Sequence, residues 1–206
     1  FSINTQSPSI TGVTPNIALI TDSETGGTGF NITVTFDEPM IDDGSQDPVI
    51  SFDNGGEDPS STLTSESGTS WPDNQTFVVT YNVADANEAI ADVDVLVSGG
   101  QNLVGNGITT TNTDQNDLFS IDTQNPSITG VTPNISLIGD PNTGGTGFNI
   151  TVTFDEPMID DGSQDPVISF DNGGEDPSST LTSESGTSWP DNQTFVVTYN
   201  VADANE

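Results

Sequence analysis

The reactive groups this chain offers are almost all oxygens. Asp37-Glu38 is followed closely by Asp42-Asp43-Gly44-Ser45-Gln46-Asp47, and Asp85-Ala86-Asn87-Glu88 has Asp92 close behind, so carboxylates and amides collect in two short stretches. Crowded hard oxygens suit Ca2+, which takes about 6–8 oxygen ligands, rather than zinc or copper. Neither stretch has the spacing of the helix-flanked calcium loop. The expectation rests on charge balance: 206 residues carry 32 Asp plus Glu and no Lys, Arg or His, a formal net charge of −32. Two carboxylates about 4 Å apart repel by about 4 kcal/mol at an effective dielectric near 20. With no side-chain cation to offset such terms, Ca2+ is the expected cofactor, at least one ion per repeat.

The same composition excludes much else. Without His, Lys, Arg or Cys there is no Ser-His-Asp or Cys-His nucleophile, no Schiff-base lysine, no P-loop lysine and no imidazole or thiolate metal site. Nucleic acid and anionic membranes are excluded as partners, because both need cations on the protein. A pair of carboxylates in a cleft, as glycosidases use, is the one catalytic arrangement left. Acids on loop tips between near-identical domains do not describe a cleft, so no enzyme and no catalytic residue is expected. Val, Ile, Leu and Phe make up 49 of 206 residues, just enough for a folded chain at this charge. No apolar run is long enough to insert in a membrane.

An internal repeat organises the chain. Shifted by 118 residues, 1–88 falls on 119–206 with 82 identities in 88, the mismatches being Asn4/Asp122, Ser7/Asn125, Ala18/Ser136, Thr21/Gly139, Ser23/Pro141 and Glu24/Asn142. A period this long reads as whole domains in tandem, since solenoid repeats are only about 20–50 residues. The division expected is 1–7 as the end of a preceding repeat, 8–122 as repeat 1, and 123–206 as repeat 2 without its last strands. The chain reads as a window on a longer repetitive protein.

The hydrophobic period within a repeat is two. Phe30, Ile32, Val34 and Phe36 alternate with Asn31, Thr33, Thr35 and Asp37, and Phe77, Val79, Tyr81 and Val83 repeat the pattern. Strands are expected at 9–13, 17–20, 30–36, 49–52, 62–65, 76–83, 92–98 and 118–121, with no sustained helical period. Turn clusters at Thr25-Gly26-Gly27, 53–56 and Ser98-Gly99-Gly100 punctuate them, the spacing of an all-β sandwich.

FNITVTFDEPM (30–40), TFVVTYNVADANE (76–88), VDVLVSGGQNLVGN (93–106) and FSIDTQNPSITGVTP (119–133) occur in that order within one period. Together they resemble the bacterial Ig-like repeats of large surface proteins and adhesins. The resemblance implies tandem Ig-like Greek-key β-sandwiches, an extracellular or cell-surface location, stabilisation by calcium, and a stalk whose ligand-binding end lies elsewhere. Ig-like order would place Asp37, Glu38, Asp42, Asp43, Asp47, Asp73, Asn74, Asp114 and Asp117 at one end of a domain. Asp22, Glu24, Asp53, Glu57, Asp58, Asp85, Asn87 and Glu88 would lie at the other. In a head-to-tail array Asp85, Asn87 and Glu88 would then approach Asp155, Glu156, Asp160, Asp161 and Asp165 across the Asp122 linker, and Ca2+ would bridge them into a stiff rod. The expected partners are neighbouring repeats and other copies of the chain. A filament built by strand donation is one alternative, because 1–5 repeats the last strand of a unit. A carbohydrate-binding module is another, resting on Trp71-Pro72-Asp73-Asn74 as a stacking platform.

Overall fold

The computed structural model describes all residues except 1–2, 53–56, 109–116, 171–172, 174–175 and 205–206, so the turn cluster at 53–56 and Asp114 lie outside the described residues. The chain divides into two units, Phe1–Gln124 and Asn125–Glu206. Residues 3–7 cluster with the first unit.

Every regular element of the first unit longer than a single 3-10 turn is a strand: β1 Ile10–Pro15, β2 Leu19–Thr21, β3 Phe30–Phe36, β4 Pro48–Phe52, β5 Leu63–Asp73, β6 Thr76–Val83, β7 Ala89–Val93, β8 Val95–Gly99 and β9 Phe119–Asp122. They form an antiparallel sheet in the order β1-β3-β6-β5, a sheet β2-β9-β7 in which β2 runs parallel to β9, and an antiparallel pair β4-β8. The fold is all-β and consistent with a β-sandwich. The period-two residues do what their spacing demands: Phe30, Ile32, Val34 and Phe36 are buried, while Asn31, Thr33 and Thr35 face outward. Phe119 packs at 4.8 Å from Phe30 and 6.2 Å from Phe52, joining the sheets through one core.

Two expected elements come out differently. The strand anticipated at 62–65 is β5, which continues to Asp73 and forms a hairpin with β6 through a two-residue loop. Asp73 closes that loop by accepting from Gln75 N at 2.8 Å and Thr76 Oγ1 at 3.1 Å, so Trp71 and Pro72 lie in a strand rather than a loop. The strand anticipated at 92–98 is two strands, β7 and β8, paired with β9 and β4 respectively. The run breaks at Asp94, whose Oδ1 accepts from Asp117 N at 2.8 Å, and Asp92 at φ 65° lies in the irregularity just before it, where the register shifts between Ile90 and Val93.

The second unit holds β10 Ile128–Pro133, β11 Gly145–Phe154, β12 Leu181–Asp191 and β13 Thr194–Val201, in the order β10-β11-β13-β12. Its registers repeat those of the first unit, including a bulge at Gly130 matching that at Gly12. A Cβ at Gly130 would sit 2.8 Å from Thr153 Oγ1, so a side chain there would require that hydroxyl to shift. Residues 166–170 have the sequence of β4 but form no strand. Val131 is 58% exposed where Val13, its counterpart, is 5% exposed.

Candidate functional site

The residues that could hold a ligand must first be separated from those already committed within the fold. In the first unit, the segment after β3, the β5–β6 turn and the 99–108 loop gather at one end. Met40 N donates to Asn74 O at 2.7 Å and Ile41 N to Gln101 O at 2.8 Å. Glu38 lies half-buried in this end. Its Oε1 accepts from Asn102 Nδ2 at 3.1 Å and its Oε2 from Asn4 Nδ2 at 3.3 Å. Asn102 is 1% exposed and pinned in orientation, because its Oδ1 accepts from Val104 N at 3.2 Å and Asn106 N at 2.9 Å. That leaves Nδ2 to face Glu38 and the Gln6 carbonyl. Asn106 Nδ2 in turn donates to Asn4 O at 3.3 Å and Gln6 O at 2.9 Å, so two carbonyl oxygens converge on this second amide. In a chain without cations, amides take the place a lysine or arginine would fill around Glu38.

The other acids named from the sequence go to separate places. Asp37 Oδ1 accepts from Ser9 N at 2.8 Å and Asp155 Oδ1 from Ser127 N at 2.7 Å, each anchoring the segment that leads into its unit. Asp43 and Asp161 each close an Asx turn onto the backbone N–H two residues on, across Gly44 and Gly162 at φ 81°. Asp42 and Asp160 are exposed beside them. Asp47 Oδ1 accepts from Trp71 Nε1 at 2.8 Å, and Asp165 repeats this with Trp189 at 2.8 Å. Glu156, at the position corresponding to Glu38, is half-buried in the second unit. Among the described residues, no three acidic side chains gather into a metal-holding group. The structure thus brings Glu38 together with amides and carbonyls, not with Asp37, Asp42 and Asp43.

At the opposite end, Glu88 Oε1 accepts from Thr62 Oγ1 at 2.6 Å, and its backbone exchanges hydrogen bonds with Thr123, whose N–H reaches Glu88 O at 2.9 Å. Thr62 and Thr123 are fully buried. Asp85 Oδ1 caps Asn87 N at 3.1 Å, and Asp122 is exposed at the end of β9. The Glu88 backbone secures Thr123, the residue that follows β9, while its carboxylate is taken by Thr62. Asn4, Gln6, Asn102, Asn106, Thr62 and Thr123 are the participants the sequence reading does not single out. The spacing of Asn102 and Asn106 in a glycine-rich loop is the signal that could have marked the first end.

Hydrogen bonds from the Ser45 hydroxyl and then its N–H hold Asp43 below the usual carboxylate range, and Ser163 does the same for Asp161. The Ser127 N–H lowers Asp155. A lowered folded pKa means that the unfolded state takes up protons first. The stabilisation is therefore present above the ordinary Asp pKa and lost as pH falls through the folded value. NMR titration of the carboxyl carbons is expected to show Asp43, Asp155 and Asp161 with midpoints below those of the same residues in urea; equal midpoints would remove these turns as stabilising elements.

No family model matches the chain, and no curated protein or solved structure matches it.

Proposed function

We propose that this chain is a structural repeat module of an extracellular stalk or fibre, built from Ig-like Greek-key β-sandwiches and stabilised by Ca2+. One observation carries the structural reading: two copies identical at 82 of 88 positions fold as separate compact units with the same sheet order and register. A repeat that folds by itself can be multiplied to set length without changing any site. The strand order supports the finer architecture. β1-β3-β6-β5 forms one four-stranded sheet, and the remaining strands pair as β2-β9-β7, with β2 parallel to β9, and as β4-β8.

Support for calcium comes from the donor set around Glu38. The Asn102 and Asn106 amides turn Nδ2–H toward this site; the hard oxygens fit for Ca2+ are the Glu38 carboxylate and the carbonyls of Asn4 and Gln6. These residues would hold the ion, which would supply the positive charge absent from the side chains. Binding only to the folded form stabilises by about 2.7 kcal/mol at a hundredfold excess over Kd. Melting followed during Ca2+ titration against chelator is expected to rise by several degrees, and Glu38→Gln is expected to remove most of the rise. Identical melting in calcium and chelator would sink the metal.

Strand donation between chains is the second reading, favoured by the exposure of Val131 in the second unit. Against it, Asn4 and Gln6 bond to their own unit. Against a sugar platform, Trp71 gives its N–H to Asp47 and packs its ring 4.9 Å from Phe77 and 6.0 Å from Phe36.

A further inference from the structure

The sequence holds five Asn-x-Ser/Thr tripeptides, at Asn31, Asn74, Asn134, Asn149 and Asn192. The fold treats them unequally. Asn31 and Asn149 lie within the central strands β3 and β11, half-buried and flanked on both sides by paired strands. Asn134 is exposed, but both ends of its amide are engaged: Nδ2 donates to Gly147 O at 2.8 Å and Oδ1 accepts from Asn149 N at 2.9 Å. Its tripeptide exists only because Ser136 replaces the Ala18 of the first repeat. Asn74 and Asn192 instead sit at the tips of the β5–β6 and β12–β13 turns, exposed. The turn itself is held by its neighbours: Asp73 and Asp191 accept from the N–H of Gln75 and Gln193, while the backbone carbonyls of Asn74 and Asn192 accept from Met40 and Met158. None of these bonds uses the Asn74 or Asn192 side-chain amide.

We infer that Asn74 and Asn192 are N-glycan acceptors, one per repeat, and that the other three tripeptides are closed to modification by the fold. In the transfer, the side-chain Nδ2 attacks the anomeric carbon of a lipid-pyrophosphate-linked oligosaccharide held by an oligosaccharyltransferase. The carbon–nitrogen bond forms, the bond to the lipid pyrophosphate breaks with its electron pair, and one amide proton passes to the enzyme's base. The Thr hydroxyl two residues on, Thr76 or Thr194, completes the recognised tripeptide, and at Thr76 it must leave its exposed 3.1 Å bond to Asp73 to do so. This rests on the extracellular reading only for where chain and transferase would meet.

The test is therefore done in solution, on the purified folded chain, with a single-subunit oligosaccharyltransferase and its lipid-linked donor, read by intact mass and peptide mapping. Two glycans per folded chain are expected. Asn74→Gln and Asn192→Gln are expected to remove one each, as is Thr76→Ala, and urea-unfolded chain is expected to accept them at Asn31, Asn134 and Asn149 as well. A folded chain that stays unmodified, or one modified at Asn31, Asn134 or Asn149, overturns the inference. Neither result touches the calcium reading, which melting tests separately.

Discussion

Asn102→Asp is expected to cost the first unit about 3–5 kcal/mol in chelator at neutral pH, the scale of an uncompensated buried charge, and calcium is expected to restore much of that loss. One carboxylate oxygen of the variant keeps the bonds from Val104 N and Asn106 N, now 3.2 and 2.9 Å long. The other takes the place of Nδ2, an atom now 3.1 Å from Glu38 Oε1 and 3.3 Å from Gln6 O. A donor facing two acceptors becomes a third acceptor. Two carboxylates sharing this site raise the folded pKa of the pair above its unfolded value. The penalty therefore grows as pH rises past the ordinary carboxylate range and is relieved near pH 4. Asn102→Ala separates charge from lost bonding: it strands two backbone N–H groups and Glu38, a cost of about 2–3 kcal/mol, and adds no carboxylate, so calcium is expected to restore less than in the Asp variant. Urea unfolding followed by Trp71 fluorescence in a Trp189→Phe background, with calcium or chelator at pH 7 and pH 4, resolves both. Equal stability of the Asp variant in calcium and chelator would remove the cation from this end, and wild-type stability would show that the amide does not hold Glu38.

The second large effect concerns the open sheet of the second unit. If the chain is extended beyond Glu206 by the sequence of residues 89–124, residues 166–170 are expected to become a strand and Val131 to fall from 58% exposed toward the 5% of Val13. In the first unit, the strands so supplied bury Val93, Val95, Val97, Phe119 and Ile121 almost completely. Each such side chain contributes about 1.5–3 kcal/mol on burial. Without them, the second unit is expected to melt first, in a separate transition. Calorimetry should show two transitions merging into one on extension, and hydrogen exchange should show new protection at 166–170. Two unchanged transitions would mean that the missing partner strand is not why the segment stays unpaired. The unextended chain also decides between stalk and strand donation: a monomer at every concentration rules out the donated strand.

Much of the fold is legible in the residues. The alternation of Phe30 to Phe36 and Phe77 to Val83 names both the strands and the inward face, because a pleat has only two sides. The gathering of the loops after β3, before β6 and after β8 at one end follows from strand order alone. The site is less legible. Asp37, Asp43 and Asp47 stand near Glu38 in sequence, but each is drawn to a different donor: Ser9 N, Ser45 N and the Trp71 indole. Asn102, 64 positions from Glu38, is the residue that meets it. Sequence proximity within a loop says which carboxylates are available, not which way they turn.

The chain itself separates what composition and pattern dictate from what assembly decides. Charge, absence of cations, repeat length and the two-residue period are properties of the residues in order, and they hold in both copies. The five residues Pro-Val-Ile-Ser-Phe are the contrary case: they are β4 at Pro48–Phe52 and no strand at 166–170. Their propensity is the same in both places. What differs is β8, whose backbone N–H and C=O groups pair with the first copy, while among the described residues the second copy pairs with no such strand. A lone strand loses conformational entropy and gains no ladder of hydrogen bonds in return, so the partner, not the pentapeptide, sets its conformation.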